Sequence, residues 1–324
     1  MDVGFVHIGM MKTASTYMQN LWLREESYSL IWKKNIEFIK QVEKVIKEDD
    51  LKKNIDLNIK LENHHKDQTV IISHEGYSTG FMNDINFQNR IPEFMDYSSR
   101  ILGELSNSLL IVVREPTSWI RSMYIQSIKQ GWSGWAQDFI YKQLELLNYS
   151  LDLEFIYKCY NRYFDNIFIV PFEILKEDEN YFWKVISKNL DVPFVKQRMS
   201  KVNQSLDLKR VFMLSKLNQM SAVLLNTLIS SKEYKNMQEK NKLVNVYSNH
   251  GKWVHRRFIE YANEKELNHI YQLFNKPKIP DDFLKFSLPE KLLNTINTKY
   301  IKFLSEHIDE KYVELYKKEV DNFN

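Results

Sequence analysis

The chain has 324 residues, of which 44% are hydrophobic and 27% charged, a composition that suits one large domain with a buried core. Its net charge of +3 is close to neutral, so a polyanion such as nucleic acid is not indicated as a partner. The single cysteine, Cys159, excludes an internal disulfide, is typical of a reducing compartment and is predicted to pack within a helix.

The first predicted element is a short apolar strand that contains Val3 and Phe5 and leads into the loop His7–Thr16. Apolar side chains then recur at helical spacing from Ala14 to Trp22, which predicts a helix. The free N–H groups at a helix start, the helix dipole and a nearby lysine favour a bound phosphate or sulfate group. The predicted anion-binding residues are Gly9, Met11, Lys12, Thr13, Ala14, Ser15 and Thr16.

Two other interpretations of this loop are open. A P-loop kinase or another nucleotide phosphotransferase would use ATP and Mg²⁺, but the Walker A pattern has glycine before its lysine, where this chain has Met11. Such an enzyme also needs a carboxylate after an apolar strand, and the later strand Leu109–Val113 ends in Arg114. An ordinary strand–turn–helix with incidental polar residues fits so short a motif as well.

Residues 26–67 are rich in alternating Lys and Glu and predict a helical insertion. The β-branched run Thr69–Ser73 then predicts a strand that ends at His74 and Glu75. Ligands collect at the carboxyl ends of strands in open α/β sheets, so both side chains are candidates for a general base. In the alternative interpretation Glu75 caps the loop and His74 packs beneath it.

A second anion-binding segment follows the buried strand Leu109–Val113. Pro116 predicts the start of a helix, and Ser118 and Ser122 share one face of it because they are four residues apart. That face is expected to look back toward Arg114, whose forked donors would cradle a second phosphate together with the two hydroxyls. A helix start with surface serines is the alternative.

Together the two segments resemble the PAPS-dependent sulfotransferases, whose donor is 3′-phosphoadenosine 5′-phosphosulfate (PAPS), and His7-Ile8-Gly9 is similar to their bacterial, carbohydrate-type branch. In that family a KxGTT loop holds the 5′-phosphosulfate, and Lys12–Thr16 is similar to it, with Ala14 in place of Gly and Ser15 in place of Thr. An RxxxxxxxS element holds the 3′-phosphate, and Arg114–Ser122 has its spacing. Alanine at position 14 is harmless if that residue is helical and harmful only if a positive φ is needed.

The resemblance covers residues 1 to about 25 and 68 to about 207, with falling specificity along the chain. Ile167–Asp178 is similar to the family's late strand and acidic-ended turn. A helix follows, and the residues predicted to be buried in it are Tyr181, Phe182, Val185 and Ile186. In that family a loop covers the 3′-phosphate and adenine of the donor. The segment of this chain that carries Lys201, Asn203 and Ser205 is similar to that loop.

The resemblance implies an α/β, P-loop-like three-layer fold, with a central parallel sheet flanked by helices and a helical C-terminal region. It implies one sulfotransferase domain over 1–324. Within it, residues 1–206 form the cofactor-binding core with the helical insertion 26–67, and residues 207–324 form a helix-rich part on the acceptor side.

The resemblance also implies the chemistry. Lys12 would stabilise the charge on the leaving oxygen. Glu75 would take the acceptor proton, since carbohydrate-type members use a glutamate, and His74 is the second choice. The donor would be PAPS and the product adenosine 3′,5′-bisphosphate. No metal is required, and the acceptor is expected to be a hydroxyl of a carbohydrate or glycan precursor. A non-catalytic relative that binds nucleotide or glycan is the remaining alternative.

Other features are expected to be structural. His7 is predicted to be a core histidine bonded to backbone, and His64–His65 has no partner cluster at metal-ligand spacing. The basic and aromatic segment His250–Arg257 is interpreted as a solvated helix face with a buried Trp253. The apolar stretch Met220–Ile229 is too short to cross a membrane and the chain enters its first strand at once, so a soluble, cytoplasmic protein is expected.

Overall fold

The computed structural model describes residues 3–31, 33–50, 67–81, 84–198, 206–230, 252–275 and 277–323. The chain divides into two compact units. The first comprises Met1–Trp119, Gln143–Val202 and Leu288–Asn324, and the second comprises Ile120–Lys142 and Asn203–Ser287.

The first unit is an α/β unit. Its strands are β1 (Phe5–His7), β2 (Tyr28–Ile31), β3 (Thr69–Ser73), β4 (Ser108–Val113) and β5 (Asn166–Pro171). Its helices before the last strand are α1 (Ser15–Trp22), α2 (Lys33–Lys47), α3 (Ile91–Gly103), the start of α4 (Pro116–Lys129), α6 (Leu144–Leu151) and α7 (Leu153–Tyr160). After it come α8 (Phe172–Glu177), α9 (Glu179–Leu190), α13 (Glu290–Thr295), a π-helical segment (Ile296–Ile301), α14 (Lys302–Leu304) and α15 (Glu310–Asp321). Two 3₁₀ turns cover Glu75–Tyr77 and Ile85–Arg90.

The five strands form one sheet in the order β2-β3-β1-β4-β5, and every pairing is parallel. This confirms the predicted α/β class with a parallel sheet flanked by helices. Strand β1 lies between β3 and β4, with His7 paired to both Ser73 and Leu110. The chain crosses from one side of β1 to the other between β3 and β4, so the carboxyl end of β1 lies at a switch point of the kind where ligands bind in open sheets.

Side chains from both faces of the sheet are buried, as expected for parallel strands. On one face Phe5, Ile71 and Leu110 pack with Trp22 of α1 and Trp183 of α9. The residues between them along the strands are also buried; they include Val6, Val70, Ile72, Leu109, Ile111 and Ile169. The carboxyl ends of the strands are thereby held by an apolar core, which fixes the loops that follow them.

Three expectations for this unit were wrong in part. The segment 26–67 holds a strand, β2, that pairs with β3, in addition to helix α2; its residues 51–66 lie outside the described chain. The acidic segment after β5 is the short helix α8 instead of a turn. In α9, Phe182 and Ile186 are buried as predicted, whereas Tyr181 is exposed, Val185 is half-buried, and Trp183 is buried instead. Cys159 is buried in α7, as predicted.

The second unit is helical where it is described. It contains most of α4 together with α5 (Ala136–Lys142), α10 (Leu208–Ser230), α11 (Lys252–Tyr261) and α12 (Glu264–Leu273). The Asn218 amide donates to the carbonyls of Ile128 and Trp132 at 2.8 and 2.9 Å, which ties α10 to the end of α4. Trp253 is 59% exposed, so the prediction that it is buried was wrong; the preceding residues of that segment, 250–251, are outside the described chain. The described residues of 207–324 are helix-rich, as predicted, and none of their helices is long and apolar enough to cross a bilayer.

Candidate functional site

The loop between β1 and α1 is a tight turn that its own hydrogen bonds close. Thr13 is fully buried, and its hydroxyl donates to the Met10 carbonyl at 2.5 Å. Lys12 and Ala14 both have a φ of 64°, in the left-handed region. Position 14 therefore needs the positive φ for which alanine is less suited than glycine, which is the condition under which the substitution is unfavourable.

The first turn of α1 offers hydrogen-bond donors for an anion. The N-cap residue of this helix is Ala14, whose methyl group cannot accept a hydrogen bond from the amide groups of the first turn. The Ser15 hydroxyl is buried beside the Glu75 carboxylate, whereas Thr16 is exposed. A Cβ atom at Gly9 would lie 2.6 Å from Nε2 of His7, so only glycine fits beneath the loop.

His7 supports the loop from the core. Its Nδ1 is 2.7 Å from the Ser73 hydroxyl, so its partner is a side chain of β3 and the predicted backbone bond was wrong. Burial, with a smaller effect from His74, lowers the pKa of His7 to about 3. The ring is therefore neutral near pH 7. It packs edge-on against Trp22, with 5.5 Å between the ring centroids.

Arg114, at the end of β4, contacts the lysine-bearing loop directly. Its Nη1 donates to the Lys12 carbonyl at 2.8 Å, and its Nε donates to the Ser118 hydroxyl at 3.0 Å. Trp119 strengthens the same junction, because its indole N–H donates to the Met11 carbonyl at 2.8 Å. The two sequence segments are thus in direct contact at the ends of the neighbouring strands β1 and β4. Ser122 lies one turn farther along α4 and is half-buried.

The start of α4 differs from the start of α1, because a side chain already occupies it. The Glu115 carboxylate accepts from the backbone N–H groups of Thr117 at 2.7 Å and Ser118 at 2.6 Å. It is buried and also accepts from the Thr117 hydroxyl at 2.9 Å. A ligand anion near α4 would therefore bind to the Arg114 side chain and not to the helix N-terminus.

Arg114 has further charged and aromatic neighbours that the sequence reasoning did not single out. Its guanidinium lies 5.2 Å from the Phe172 ring centroid, and the Lys176 ammonium lies 4.6 Å from the same centroid. Burial lowers the pKa of Lys176, and the nearby Arg114 lowers it further. Burial also lowers the pKa of Arg114, although Glu173 and Glu115 oppose this shift. Lys176 could have been predicted from its position a few residues after β5, because ligands collect at the carboxyl ends of parallel strands.

Tyr300, from the π-helical segment, holds the backbone of Arg114. Its hydroxyl accepts from the Arg114 N–H at 3.1 Å and donates to the Arg114 carbonyl at 2.6 Å. The same oxygen lies 3.2 Å from the Met10 sulfur. No local sequence signal links residue 300 to either loop.

The end of β3 brings Glu75 to the same edge. Burial raises the pKa of its carboxyl, while the Ser15 hydroxyl and the Lys12 ammonium act in the opposite direction. These effects place the carboxylate close to both groups. The Ser78 hydroxyl closes this turn by donating to the backbone carbonyl of Glu75 at 3.2 Å. This hydrogen bond does not involve the Glu75 side chain.

His74 has a structural role in the same turn. Its Nδ1 accepts from the Gly76 N–H at 2.9 Å, and its ring packs edge-on to Tyr77 at 5.8 Å between centroids. Burial lowers the pKa of His74, which favours its neutral form. This arrangement favours Glu75 over His74 as the group that could accept a proton from a ligand.

A cleft of about 270 Å³ opens beside Glu75. Its lining residues come from the loop after β1, from α2 and from the segment after β3: Met11, Ile39, Glu43, His74, Glu75, Gly76, Thr79, Gly80, Phe81 and Asp84. The cleft borders Glu75 and, through Met11, the loop between β1 and α1.

The predicted residues Lys201, Asn203 and Ser205 lie outside the described residues. Within the described ranges, no group of three or more His, Cys, Asp and Glu side chains has the arrangement of a metal site. No family profile and no curated protein matches this chain.

Proposed function

We propose that this protein is a P-loop-like sulfotransferase that moves a sulfuryl group from PAPS to a hydroxyl of an acceptor, with a carbohydrate or glycan precursor as the expected acceptor class. One observation carries the proposal: the Arg114 guanidinium donates to the Lys12 carbonyl at 2.8 Å. The two candidate anion-binding segments, about a hundred residues apart in the chain, thus meet where one doubly charged nucleotide can contact both.

The residues present fit such a donor. The N-terminus of α1, the buried Ser15 hydroxyl and the Lys12 side chain suit the phosphosulfate end. Arg114 suits the 3′-phosphate, since no hydrogen bond within the described chain engages its Nη2. Lys176 would add a second positive charge. The bound donor would supply the transferable sulfuryl group.

Two side chains of this protein would act on the reacting atoms. Lys12 would neutralise negative charge that develops on the leaving oxygen. Glu75 would accept the acceptor's proton, and its raised pKa makes its carboxylate a stronger base than an exposed one. Because Lys12 lies close enough to lower the pKa of Glu75, the same ammonium would also favour the ionised, reactive form of the base.

The test is binding followed by turnover. We expect adenosine 3′,5′-bisphosphate to raise the melting temperature more than ATP with Mg²⁺ does, and radiolabelled PAPS to label a carbohydrate hydroxyl. Stronger stabilisation by ATP with Mg²⁺ would indicate the kinase alternative, and nucleotide binding without transfer would indicate the non-catalytic one. The proposed reaction is assigned to the cytosol, which suits a protein whose single cysteine is a buried thiol.

A further inference from the structure

Helix α11 of the second unit presents an apolar and aromatic face to solvent. Trp253, Val254, Phe258 and Tyr261 are between 46 and 76% exposed, although the same helix buries Ile259 on its other side. Their spacing places the four exposed side chains on one face of the helix. We propose that this face binds the surface of an anionic lipid bilayer. The proposal concerns the second unit alone and does not rest on the proposed function.

A second apolar stripe lies on α10, the helix that packs against α11. The two helices meet where the Ser221 hydroxyl lies 3.4 Å from Nδ1 of His255. On α10, Met220, Val223 and Leu224 are about half exposed and share one face of the helix. Single exposed apolar side chains are normal in water-exposed surfaces, but seven on two packed helices indicate a surface that binds an apolar partner.

Basic side chains accompany the aromatic face of α11. The Arg257 guanidinium lies 5.6 Å from the ring centroid of Trp253 and 5.9 Å from that of Tyr261, so a cation is held among the exposed rings. Three cations pair with the single carboxylate of Glu260: Lys129 at 3.3 Å, Arg256 at 2.9 Å and Arg257 at 3.7 Å. Because three cations share one anion, this cluster keeps an excess of positive charge.

The charge of the whole unit favours an anionic partner. The ranges of the second unit contain 17 Lys and Arg residues against 9 Asp and Glu residues, which is a net charge of +8. The ranges of the first unit contain 28 against 33, which is a net charge of −5, so the total of +3 combines a basic unit with an acidic one. A basic unit with exposed apolar side chains is complementary to a bilayer surface, where anionic headgroups cover acyl chains.

A bilayer fits these observations better than other occupants of the face do. Two copies of the chain that met through it would bring two units of charge +8 together, and like charges repel. Nucleic acid would pair with the arginines but would leave aliphatic side chains such as Val254 and Leu224 without an apolar partner. An anionic bilayer serves both, since Trp and Tyr prefer the headgroup level, aliphatic side chains enter the acyl boundary and cations contact lipid phosphates.

The first experiment measures vesicle binding by the full chain. Flotation with vesicles of phosphatidylcholine alone is compared with flotation with vesicles of equal parts of phosphatidylcholine and phosphatidylglycerol. We expect at least about tenfold tighter binding to the anionic vesicles, because each basic side chain near the surface adds to the attraction. Salt at about 1 M should weaken this binding, because it screens the charges. Equal binding to both kinds of vesicle, or binding to neither, overturns the proposal.

The second experiment tests whether α11 is the part that enters the bilayer. Bromine atoms on lipid acyl chains quench the fluorescence of a tryptophan that reaches them, and Trp253 is one of seven tryptophans. We expect brominated anionic vesicles to quench the wild type, and we expect Trp253→Phe to bind as tightly but to lose most of the quenching. Trp135→Phe is the matched control, because Trp135 is 42% exposed in the same unit but lies outside α11. Quenching that is unchanged in Trp253→Phe overturns the assignment to α11.

The third experiment separates the apolar and the charged contributions. The double substitution Trp253→Ala with Phe258→Ala should weaken binding to anionic vesicles about 10- to 100-fold, because binding scales with the apolar area that is buried. Arg257→Gln should weaken it about 3- to 10-fold. All three side chains are exposed, so the melting temperature should stay that of the wild type. Wild-type binding by the double variant would mean that charge alone attracts the protein, and it overturns the apolar contact.

Two controls and one alternative complete the test. Tyr181→Ala removes an equally exposed ring of the first unit, and Arg162→Gln removes an exposed cation there; both should bind vesicles like the wild type. Light scattering of the free chain gives its oligomeric state. A dimer that dissociates in Trp253→Ala with Phe258→Ala would assign the face to a second copy of the chain and would overturn the bilayer assignment.

Discussion

The Tyr300 hydroxyl forms hydrogen bonds with both backbone groups of Arg114, the N–H at 3.1 Å and the carbonyl at 2.6 Å. The residue that does this lies in a π-helical segment, Ile296–Ile301, a rare geometry that is frequent at functional sites. Because Arg114 in turn donates to the Lys12 carbonyl, one buried tyrosine from the C-terminal part helps to set the geometry of the proposed donor site.

Tyr300→Phe should weaken donor binding without changing the chemistry. The variant loses both hydrogen bonds to Arg114, so we expect the KM for PAPS to rise about 3- to 10-fold with kcat within about twofold, and stability to fall by about 1–2 kcal/mol. Tyr28→Phe is the control: its hydroxyl donates to the Pro193 carbonyl at another end of the unit, so it should lose stability but keep the wild-type KM. Equal KM values in the two variants would contradict the role of Tyr300.

Lys12→Ala should act on kcat. Removing the ammonium leaves the leaving oxygen without its partner, and the loss of a single stabilising group of this kind lowers kcat about 10²–10³-fold. Steady-state kinetics checks this, with Lys311→Ala as control because that lysine is exposed and pairs with Glu177. Near-normal kcat in Lys12→Ala would refute the assignment.

Arg114→Lys should mainly change the KM for the donor. Lysine keeps the positive charge but cannot donate at the same time to the Lys12 carbonyl and to Ser118 as the guanidinium does. A 3′-phosphate contact that is equal in ground and transition states affects KM, so we expect about a tenfold rise in KM with kcat little changed. An effect confined to kcat would be inconsistent with phosphate binding by Arg114.

Glu75→Gln should lose activity and gain stability at neutral pH. As a general base Glu75 contributes about 10²–10⁴-fold, and the wild-type rate should rise with pH through its raised pKa. The pKa of the Glu75 carboxyl is higher in the folded chain than in the unfolded chain, where it is about 4. Below about pH 4 this difference contributes its full amount to stability, and the contribution is lost as the pH rises through the folded-state pKa. Glutamine does not ionise, so the variant does not lose this stability as the pH rises.

The stability half of this prediction is checked by melting curves of wild type and Glu75→Gln from about pH 4 to pH 8. The difference in melting temperature should be small at the acid end and should grow in favour of the variant as pH rises. A difference that is constant with pH would mean that the carboxyl has the same pKa in the folded and unfolded chain.

Ala14→Gly should stabilise the protein. The left-handed conformation at φ 64° disfavours an L-residue by about 1–2 kcal/mol, and the greater freedom of glycine in the unfolded chain offsets part of this. We expect a net gain of about 0.5–1 kcal/mol in denaturant unfolding. Ala136→Gly is the control, because Ala136 is buried at the start of α5 and should be destabilised. A loss of stability in Ala14→Gly would show that the methyl group has contacts that outweigh the strain.

Several strands and helix starts of the first unit could be predicted from the sequence. The strand Thr69–Ser73 and the start of α4 at Pro116 agree with the prediction, because β-branched runs and proline constrain the backbone locally. Strand β2 was missed, since Tyr28–Ile31 is short, lies among charged residues and is held by its pairing with β3. Helix spacing predicted that Ser118 faces Arg114, and the hydrogen bond between them confirms it.

The sequence by itself determined the strand–loop–helix that carries Lys12 and the spacing that aligns Ser118 with Arg114, because periodicity and helix-start residues act over a few neighbours. Only the tertiary structure decided that Glu115 fills the start of α4, that Tyr300 holds the Arg114 backbone and that Glu43 shares a cleft with Glu75. The Tyr300 and Glu43 contacts join residues that are far apart in the chain. For Glu115, the local sequence does not show whether its carboxylate turns back to the helix or toward a ligand. Burial and chain crossing select such contacts, and no local residue pattern encodes them.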